Sequence, residues 1–495
     1  MLTTDLTKHK LSKSTFMKGC QCSKFLWLHK YQPQLKEAIS EHQEALFKQG
    51  HTVGELAQRL FPDGIDVTPE SYYDYQKSVA LTAELIKSGK TVIYEAAFQY
   101  DGVLAALDIL VKKRGKWYAY EVKSSTKVKP QFIMDSALQY HVIAKAGLEL
   151  SEFNIVHLNN QYMRMGQLNV KELFTIEPII EQIKELQPEI EAKIAKLKAI
   201  LTLKAAPNIK IGDQCGDPYE CDFIGHCWRD VPHLSVYELN IDIEAKRKLI
   251  KKGIMLMKDL PDDYPLTTKD LKRVDAFRSG KTYIDKEKIN EFIESFTYPL
   301  HFLDFETIMP AIPLFDNTKS YMQLPTQFSL HRRNKPGTES EHFEFLAEAG
   351  TDPRRPFIEA LIHQLGDKGT ILVFSHFENT RLTAIVEEFP EYEQKINAIQ
   401  ERIIDLIVPF RKGYYYAPNM NGSNSIKDVL PALVPELGYD NLVIADGMTA
   451  VAAFQSLSYE TDQDAIRQTR QQLLEYCKMD TLAMVKILEV LEKQV

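Results

Sequence analysis

Apolar residues along this chain change their spacing twice. Up to about residue 90 they recur every three or four positions, the period of helices with one buried face. One Gly/Pro-bearing turn, "FPDGIDVTPESYYDY", punctuates that stretch. From Val92 the period shortens to two. "TVIYEAAFQY", "GVLAALDILVKK" and "KWYAYEVKSS" predict three strands, broken at Asp101-Gly102 and at Arg114-Gly115. "FIMDSALQYHVIAKAGL" predicts a helix, "EFNIVHLNN" a strand, and "EPIIEQIKELQPEIEAKIAKLKAIL" one long amphipathic helix. A cysteine-bearing loop, "APNIKIGDQCGDPYECDFIGHCW", follows, and then a lysine-rich helical stretch from about 235 to 295, an amphipathic connector. From Tyr298 the strands "FLDFET", "FSLHRR", "TILVFSHF" and "RIIDLIVPF" alternate with helices, and "RQTRQQLLEYCKMDTLAMVKILEVLEK" closes the chain as a helix. This alternation predicts an α/β fold. No internal repeat is visible, so the two halves are expected to be different domains.

Length and composition narrow the class. At 495 residues, 44% of them apolar and 26% charged, the chain suits a soluble protein of two to four domains. No apolar run approaches the ~18 residues of a membrane span. The opening "MLTTDLTKHKLSKSTF" lacks the apolar centre of a signal peptide, so a cytoplasmic protein with no membrane partner is expected. A net charge of −8 argues against indiscriminate coating of nucleic acid, yet leaves room for a local basic channel. Six cysteines in a reducing compartment point to metal or structural roles rather than disulfides.

Several constellations carry candidate chemistry. In "PLHFLDFETIMP", Asp304 and Glu306 stand two apart on a strand and so share a face. Carboxylates side by side repel unless a cation lies between them; the bland alternative is a frayed strand end in water. Glu121 and Lys123 repeat that spacing, with Asp108 on the preceding strand. Two acids and a lysine there could bind a divalent metal and steer a water toward phosphorus. Tyr476 and Asp480, four apart in "EYCKMDTLAMV", share a helical face. Lys112, Lys113, Arg114, Lys116, Lys127 and Lys129 flank the first acid set and suit a phosphate backbone, and Trp117, Tyr118 and Tyr120 offer either base stacking or core packing. Finally, Cys215, Cys221 and Cys227 form C-x5-C-x5-C in polar, turn-rich surroundings unsuited to core burial.

The Asp108 … Glu121-x-Lys123 pattern resembles the core of PD-(D/E)XK nucleases, in which helices flank a mixed sheet. "SALQYHVIAKAG" resembles the Q-x-x-x-Y helix of their RecB-like branch: Gln139 matches, whereas Ile143 stands at the tyrosine position and Tyr140 follows directly. That branch's G-x-x-x-H element is ambiguous here between His51 and Glu55. The resemblance implies Asp108 and Glu121 as metal ligands, Lys123 and Gln139 as further catalytic residues, and Glu95 as an additional acid. One early cysteine and three late ones resemble the iron–sulfur staple of AddB-type and CRISPR-associated RecB-like nucleases. This implies a [4Fe–4S] cluster on Cys22, Cys215, Cys221 and Cys227, with Zn²⁺ as the alternative metal. Cys20 competes with Cys22, which is preferred because "CSKFLWL" resembles the family's opening motif.

The ordered D-x-E, F-E and Y-x-x-x-D set resembles the DnaQ-like (DEDDy) exonucleases of the RNase H-like fold. It implies Asp304, Glu306, Glu378 and Asp480 as ligands of Mg²⁺ or Mn²⁺, with Tyr476 orienting the attacking water. Glu378, in "ILVFSHFENTRL", stands where an aspartate is expected; Asp405 is the reserve, and Lys427 in "GSNSIKDVLPALVPEL" could touch phosphate. The expected architecture is a RecB-like PD-(D/E)XK nuclease with a cysteine staple (1–234), a helical connector (235–297) and a DnaQ-like exonuclease (298–495). The expected function is metal-dependent hydrolysis of nucleic acid at two centres, DNA ahead of RNA. One rival is an iron–sulfur-stapled nucleic-acid-binding scaffold with one or both centres inactive, serving a helicase or a defence or repair complex. Another is an RNA-trimming exonuclease with an inert front domain.

Overall fold

The computed structural model describes residues 4–71 and 74–495, so Tyr72 and Tyr73 of the expected turn lie outside the described residues. The chain is mixed α/β and divides into two compact units. The first is Met1–Asp230 with Pro310–Met322, and the second is Val231–Met309 with Gln323–Val495. Residues 235–297 count with the second unit. Among the described residues, no helix is long and apolar enough to cross a membrane.

The sheet of the first unit contains β1 (Leu11–Ser12), β2 (Ile65–Asp66), β3 (Val92–Tyr100), β4 (Val103–Lys113), β5 (Lys116–Lys123), β6 (Leu150–Leu158) and β7 (Phe174–Pro178). Its order is β2-β3-β4-β5-β6-β7, with β1 beside β4. β3, β4 and β5 are antiparallel neighbours; β6 runs parallel to β5. Both hairpin turns have two central residues in the left-handed region, Asp101 and Gly102 (φ 47° and 67°) and Arg114 and Gly115 (φ 49° and 81°). That geometry matches the twist of paired strands. A parallel neighbour needs a crossover, and the Pro130–Lys145 helix provides it. Its Ala137, Leu138 and Val142 are buried in one core with Leu107, Leu110 and Phe153 of the sheet.

The single long helix expected over 177–201 is instead two, Ile180–Glu185 and Gln187–Ile200. Pro188, in the first turn of the second, has no amide hydrogen to continue the ladder. The Gln187 side chain donates to the Ile183 carbonyl (2.7 Å) at the break.

The second unit carries β8 (Tyr283–Ile284), β9 (Leu300–Ile308), β10 (Leu324–Arg333), β11 (Glu341–Leu346), β12 (Ile371–Val373), β13 (Ile403–Asp405) and β14 (Tyr415–Tyr416). β8 pairs with β14, and the remaining five form a sheet in the order β11-β10-β9-β12-β13. β9, β10 and β11 are antiparallel neighbours, whereas β12 runs parallel to both β9 and β13. Leu303, Phe305, Phe328, Phe357 and Ile371 share its core. The closing helix, Gln463–Glu492, packs on β10: Gln327 donates to the Leu473 carbonyl (2.9 Å), and the Ser329 and Thr481 hydroxyls meet at 2.7 Å. Just before β12, Gly369 (φ +89°) passes so near Pro299 that an added Cβ would fall 1.9 Å from the Pro299 carbonyl oxygen. Only glycine fits there.

Candidate active sites

In the second unit β9 runs into acid. β10 pairs alongside, with Ser329 opposite Asp304 and Gln327 opposite Glu306, but β12 meets β9 only at His301 and Phe302. The two carboxylates therefore lie beyond β12, where later helices can reach them. One does: an oxygen each of half-buried Asp304, half-buried Glu306 and buried Asp480 lie within 4.8 Å of one another. Glu378, in the first turn of the Phe377–Glu388 helix, is buried, and its Oε2 has no hydrogen-bond partner.

Crowding sets the electrostatics. Burial raises Asp304 well above the usual carboxylate range, and Asp480, Glu378 and Glu306 add to the rise. Burial and then Asp480 push Glu306 up to about 8, against Lys427. Glu378 rises to about 7 through burial, with Asp405 and Asp480 contributing. Asp480 rises to about 6 through burial, opposed by Tyr439 and Lys427. Acids pushed up in this way gain from a divalent cation among them. Glu378 stands outside the trio that meets within 4.8 Å, and its unpaired oxygen is a further ligand atom. The residues therefore fit a metal.

Around the acids stand groups that the motifs do not name. The Tyr439 hydroxyl donates to Asp480 Oδ1 (2.6 Å), and the Cys477 thiol donates to Asp304 Oδ2 (3.4 Å). Lys427 donates to the Ala445 carbonyl (2.7 Å) and lies 5.4 Å from the ring centres of both Tyr439 and Tyr476. An added Cβ at Gly447 would fall 3.8 Å from Glu306 Oε2 and 3.9 Å from the Tyr476 hydroxyl, so that helix start borders the site closely. Asp405 accepts from the Ile407 amide (3.0 Å) and lies 3.5 Å from Arg411, beside Glu378 rather than within the trio.

In the first unit, strand register aligns the acids. Tyr94–Ile109 and Ala96–Leu107 are partners, so Glu95 lies across from Asp108; Ile109–Tyr120 pairing puts Asp108 across from Glu121. Glu95 has φ +55°, uncommon for a side-chain-bearing residue and a local interruption of the strand. Asp108 Oδ2 accepts from the Val122 amide (2.5 Å). Glu121, 1% exposed, receives Lys123 (2.7 Å) and Lys13 (2.8 Å) on Oε1, while Oε2 has no partner. Lys123 also donates to Asp135 Oδ2 (2.6 Å).

Burial would raise Glu121, but the two ammonium groups hold it at about 2. Burial and Glu121 push Asp108 up to about 7, and burial and Asp108 push Glu95 up to about 8. On the crossover helix, Gln139 is fully buried with neither amide atom paired, and Asp135 Oδ1 and Ser136 Oγ are likewise unpaired. Several orphaned polar atoms so close in sequence are what an absent ligand would satisfy.

His51 and Glu55 are both exposed on the Glu41–Gln58 helix. Lys112, Lys113, Arg114 and Lys116 surround the hairpin at the far end of β5, about 16 Å from Glu121 at ~3.3 Å per residue. There Lys113 lies 4.9 Å from the Phe61 ring centre and 5.6 Å from that of Tyr120; Trp117 and Tyr120 are buried in the core.

The cysteine segment closes on the start of the chain. Cys22, Cys215, Cys221 and Cys227 line one pocket together with Phe25 and Phe223. Cys20 packs instead against the main core. The Cys221 amide donates to the Cys215 carbonyl (2.9 Å), and Lys18 and Lys36 pair with Asp222 (3.0 and 3.1 Å). Burial pushes the Cys221 thiol up to about 11, with the other three sulfurs among the lesser causes. Burial also raises Cys22, opposed by the Phe25 and Lys24 amides of the helix it begins.

Residues 301–425 match the family model described as "Domain of unknown function (DUF2779)". The match takes in Asp304, Glu306, Glu378 and Asp405 and ends before Lys427, Tyr439, Tyr476 and Asp480. The chain is also similar to the uncharacterised protein MG366 homolog of Mycoplasma pneumoniae, 27% identical over 211 residues, or 38% of this chain and 31% of that one. The uncharacterised protein MG366 of Mycoplasma genitalium is 25% identical over 234 residues, 43% of this chain and 35% of its own. The chain thus matches about a third of the length of these curated relatives.

Proposed function

We propose that this chain is a metal-dependent nuclease that hydrolyses phosphodiester bonds of nucleic acid, DNA ahead of RNA. The observation that carries this is the meeting of Asp304, Glu306 and Asp480 within 4.8 Å, from a strand and a distant helix. The order β11-β10-β9-β12-β13, antiparallel on one side of β9 and parallel on the other, supports an RNase H-like, DnaQ-like fold for 298–495. The succession β3-β4-β5-helix-β6 supports a PD-(D/E)XK fold for 1–234.

Asp304, Glu306, Glu378 and Asp480 would hold Mg²⁺ or Mn²⁺. Bound there, such ions would supply positive charge that stabilises the phosphoryl group and acidifies the attacking water. The chain contributes positioning. Tyr476, near Glu306, would orient the water, and Tyr439 and Cys477 fix one oxygen each of Asp480 and Asp304. Asp108, Glu121 and Glu95 would hold the ion of the first centre, with Lys123 and Gln139 beside it. Cys22, Cys215, Cys221 and Cys227 would hold a [4Fe–4S] cluster that ties the N-terminal helices to the cysteine loop.

One observation favours a second reading. Lys13 and Lys123 both neutralise Glu121, supplying in the first centre the charge a metal would bring. On that reading the first unit is a stapled nucleic-acid-binding scaffold, serving a helicase or repair complex, and only the second centre cuts.

Labelled single- and double-stranded DNA and RNA, incubated with Mn²⁺ or Mg²⁺, separate these readings. Asp480→Asn should remove one activity by about 100-fold or more, and Glu121→Gln should remove another if the first centre cuts. Equal rates for wild type and both variants would overturn the nuclease assignment. Anaerobically purified protein should be brown with about four irons per chain. Cys22→Ser should lose them and Cys20→Ser keep them; colourless, zinc-bearing protein would overturn the cluster.

A further inference from the structure

We propose that Lys427 is the phosphate-binding group of the second centre, and that Tyr439 is a positioning residue that aims both Lys427 and Asp480. The inference rests on the nuclease reading of that centre. Lys427 is held on three sides: its ammonium donates to the Ala445 carbonyl (2.7 Å) and stands 5.4 Å from the ring centres of Tyr439 and Tyr476. Those rings are 6.4 Å apart and inclined at 58°, so they form a cleft that fixes a cation by its attraction to their faces.

No ion pair within 4.0 Å is found for Lys427 among the described residues, although Glu306, Asp480 and Asp446 all feel its charge. An ammonium with three donors, one of them used by a carbonyl, keeps donors for a ligand. Tyr439 couples this cation to the acids, because its hydroxyl donates to Asp480 Oδ1 (2.6 Å) while its ring seats Lys427.

Charge balance points the same way. Asp304, Glu306, Glu378 and Asp480 already crowd negative charge into this site, and a phosphodiester would add one more. Bound divalent cations would offset the carboxylates, and Lys427 would face the charge that the ester brings. The ligand class is therefore a phosphate ester with one anionic oxygen facing Lys427, on the side of the tyrosine pair.

Calorimetric titration of the full chain with Mn²⁺, and then with thymidine 5′-monophosphate, tests this. Lys427→Met should weaken nucleotide binding about tenfold without weakening Mn²⁺ binding, and Lys427→Arg should restore most of the loss. Tyr439→Phe should weaken Mn²⁺ binding about tenfold, as removal of a group that orients a metal ligand does, and nucleotide binding with it. Thermal melting of each variant identifies loss of fold. Suppose wild type binds Mn²⁺ and Asp304→Asn abolishes that binding. If Lys427→Met then binds the nucleotide as wild type does, or wild type does not bind it, the proposal falls and the nuclease reading stands. If Mn²⁺ binding ignores Asp304→Asn, the nuclease reading falls and the proposal with it.

Discussion

Asp304 shows what crowding does to a single residue. It is raised by burial and by three neighbouring carboxyls, so without metal it destabilises the fold around it. Asp304→Asn removes that repulsion while keeping the shape. Its metal-free melting temperature should rise by about 2–4 °C, roughly 1 kcal/mol for a unit of this size, while the rise on adding Mn²⁺ should vanish. Differential scanning fluorimetry with and without Mn²⁺ reads both, and a lower metal-free melting point would show that native contacts, not repulsion, dominate at Asp304. At this scale, residues bound by short periods are the ones a linear sequence exposes: Asp304 with Glu306, Glu121 with Lys123, Tyr476 with Asp480. Lys13 and Tyr439 are hidden from such patterns, because their partners lie 108 and 41 positions away. The packing of helices brings them in, and no local spacing records it.

Among elements, the Lys13–Gln21 helix shows how a cap can serve a site. Ser12 Oγ accepts from the Thr15 amide (3.3 Å), Thr15 Oγ1 accepts from the Ser12 amide (2.7 Å), and the first helical residue, Lys13, reaches Glu121. Ser12→Ala should cost about 1 kcal/mol in urea unfolding and loosen that ion pair. The seam between β10, β11 and the closing helix has its own pH signature. Burial pushes His331 and His342 down to about 4, and His331 shares a 2.8 Å hydrogen bond with Thr481. Unfolded histidine titrates near 6.5, so below that pH the unfolded chain binds protons that the folded one refuses. Stability is present above about pH 6.5 and is lost as pH falls toward 4, by on the order of 1–2 kcal/mol per histidine. His331→Gln should flatten that slope in thermal melts between pH 7 and 4, and an unchanged slope would exclude His331 as its source. The alternation of the buried strands made them legible. β11, "EHFEFL", was not, because this short edge strand buries no residue fully, and only Phe343 and Phe345 mark its core-facing side. The break at Pro188 shows the converse, an amphipathic stripe running on through a residue that stops the hydrogen bonds beneath it.

For the whole molecule, contact order matters more than chain order. Residues 310–322 lie between β9 and β10, neighbouring strands of the second sheet, yet belong to the first compact unit. There Ala311 is buried in a cluster with Val53 and Tyr120, and the Tyr321 hydroxyl donates to the Ser124 carbonyl (2.8 Å). Arg164 donates to the Pro313 and Leu314 carbonyls (3.0 and 2.8 Å), and the Gly166 amide donates to Asp316 (2.6 Å). A boundary drawn near residue 234 from composition cannot reveal this, because the segment's partners are set by tertiary packing. A fragment of residues 1–230 should therefore keep its sheet but lack these bonds. Net contributions near 1 kcal/mol per hydrogen bond put the loss at roughly 2–4 kcal/mol. The chain's three tryptophans, Trp27, Trp117 and Trp228, all lie in the first unit, so their fluorescence follows that unit alone even in the full chain. The fluorescence-detected urea midpoint should be lower in the fragment than in the full chain. Equal midpoints would mean that the 310–322 segment rests on the first unit without stabilising it.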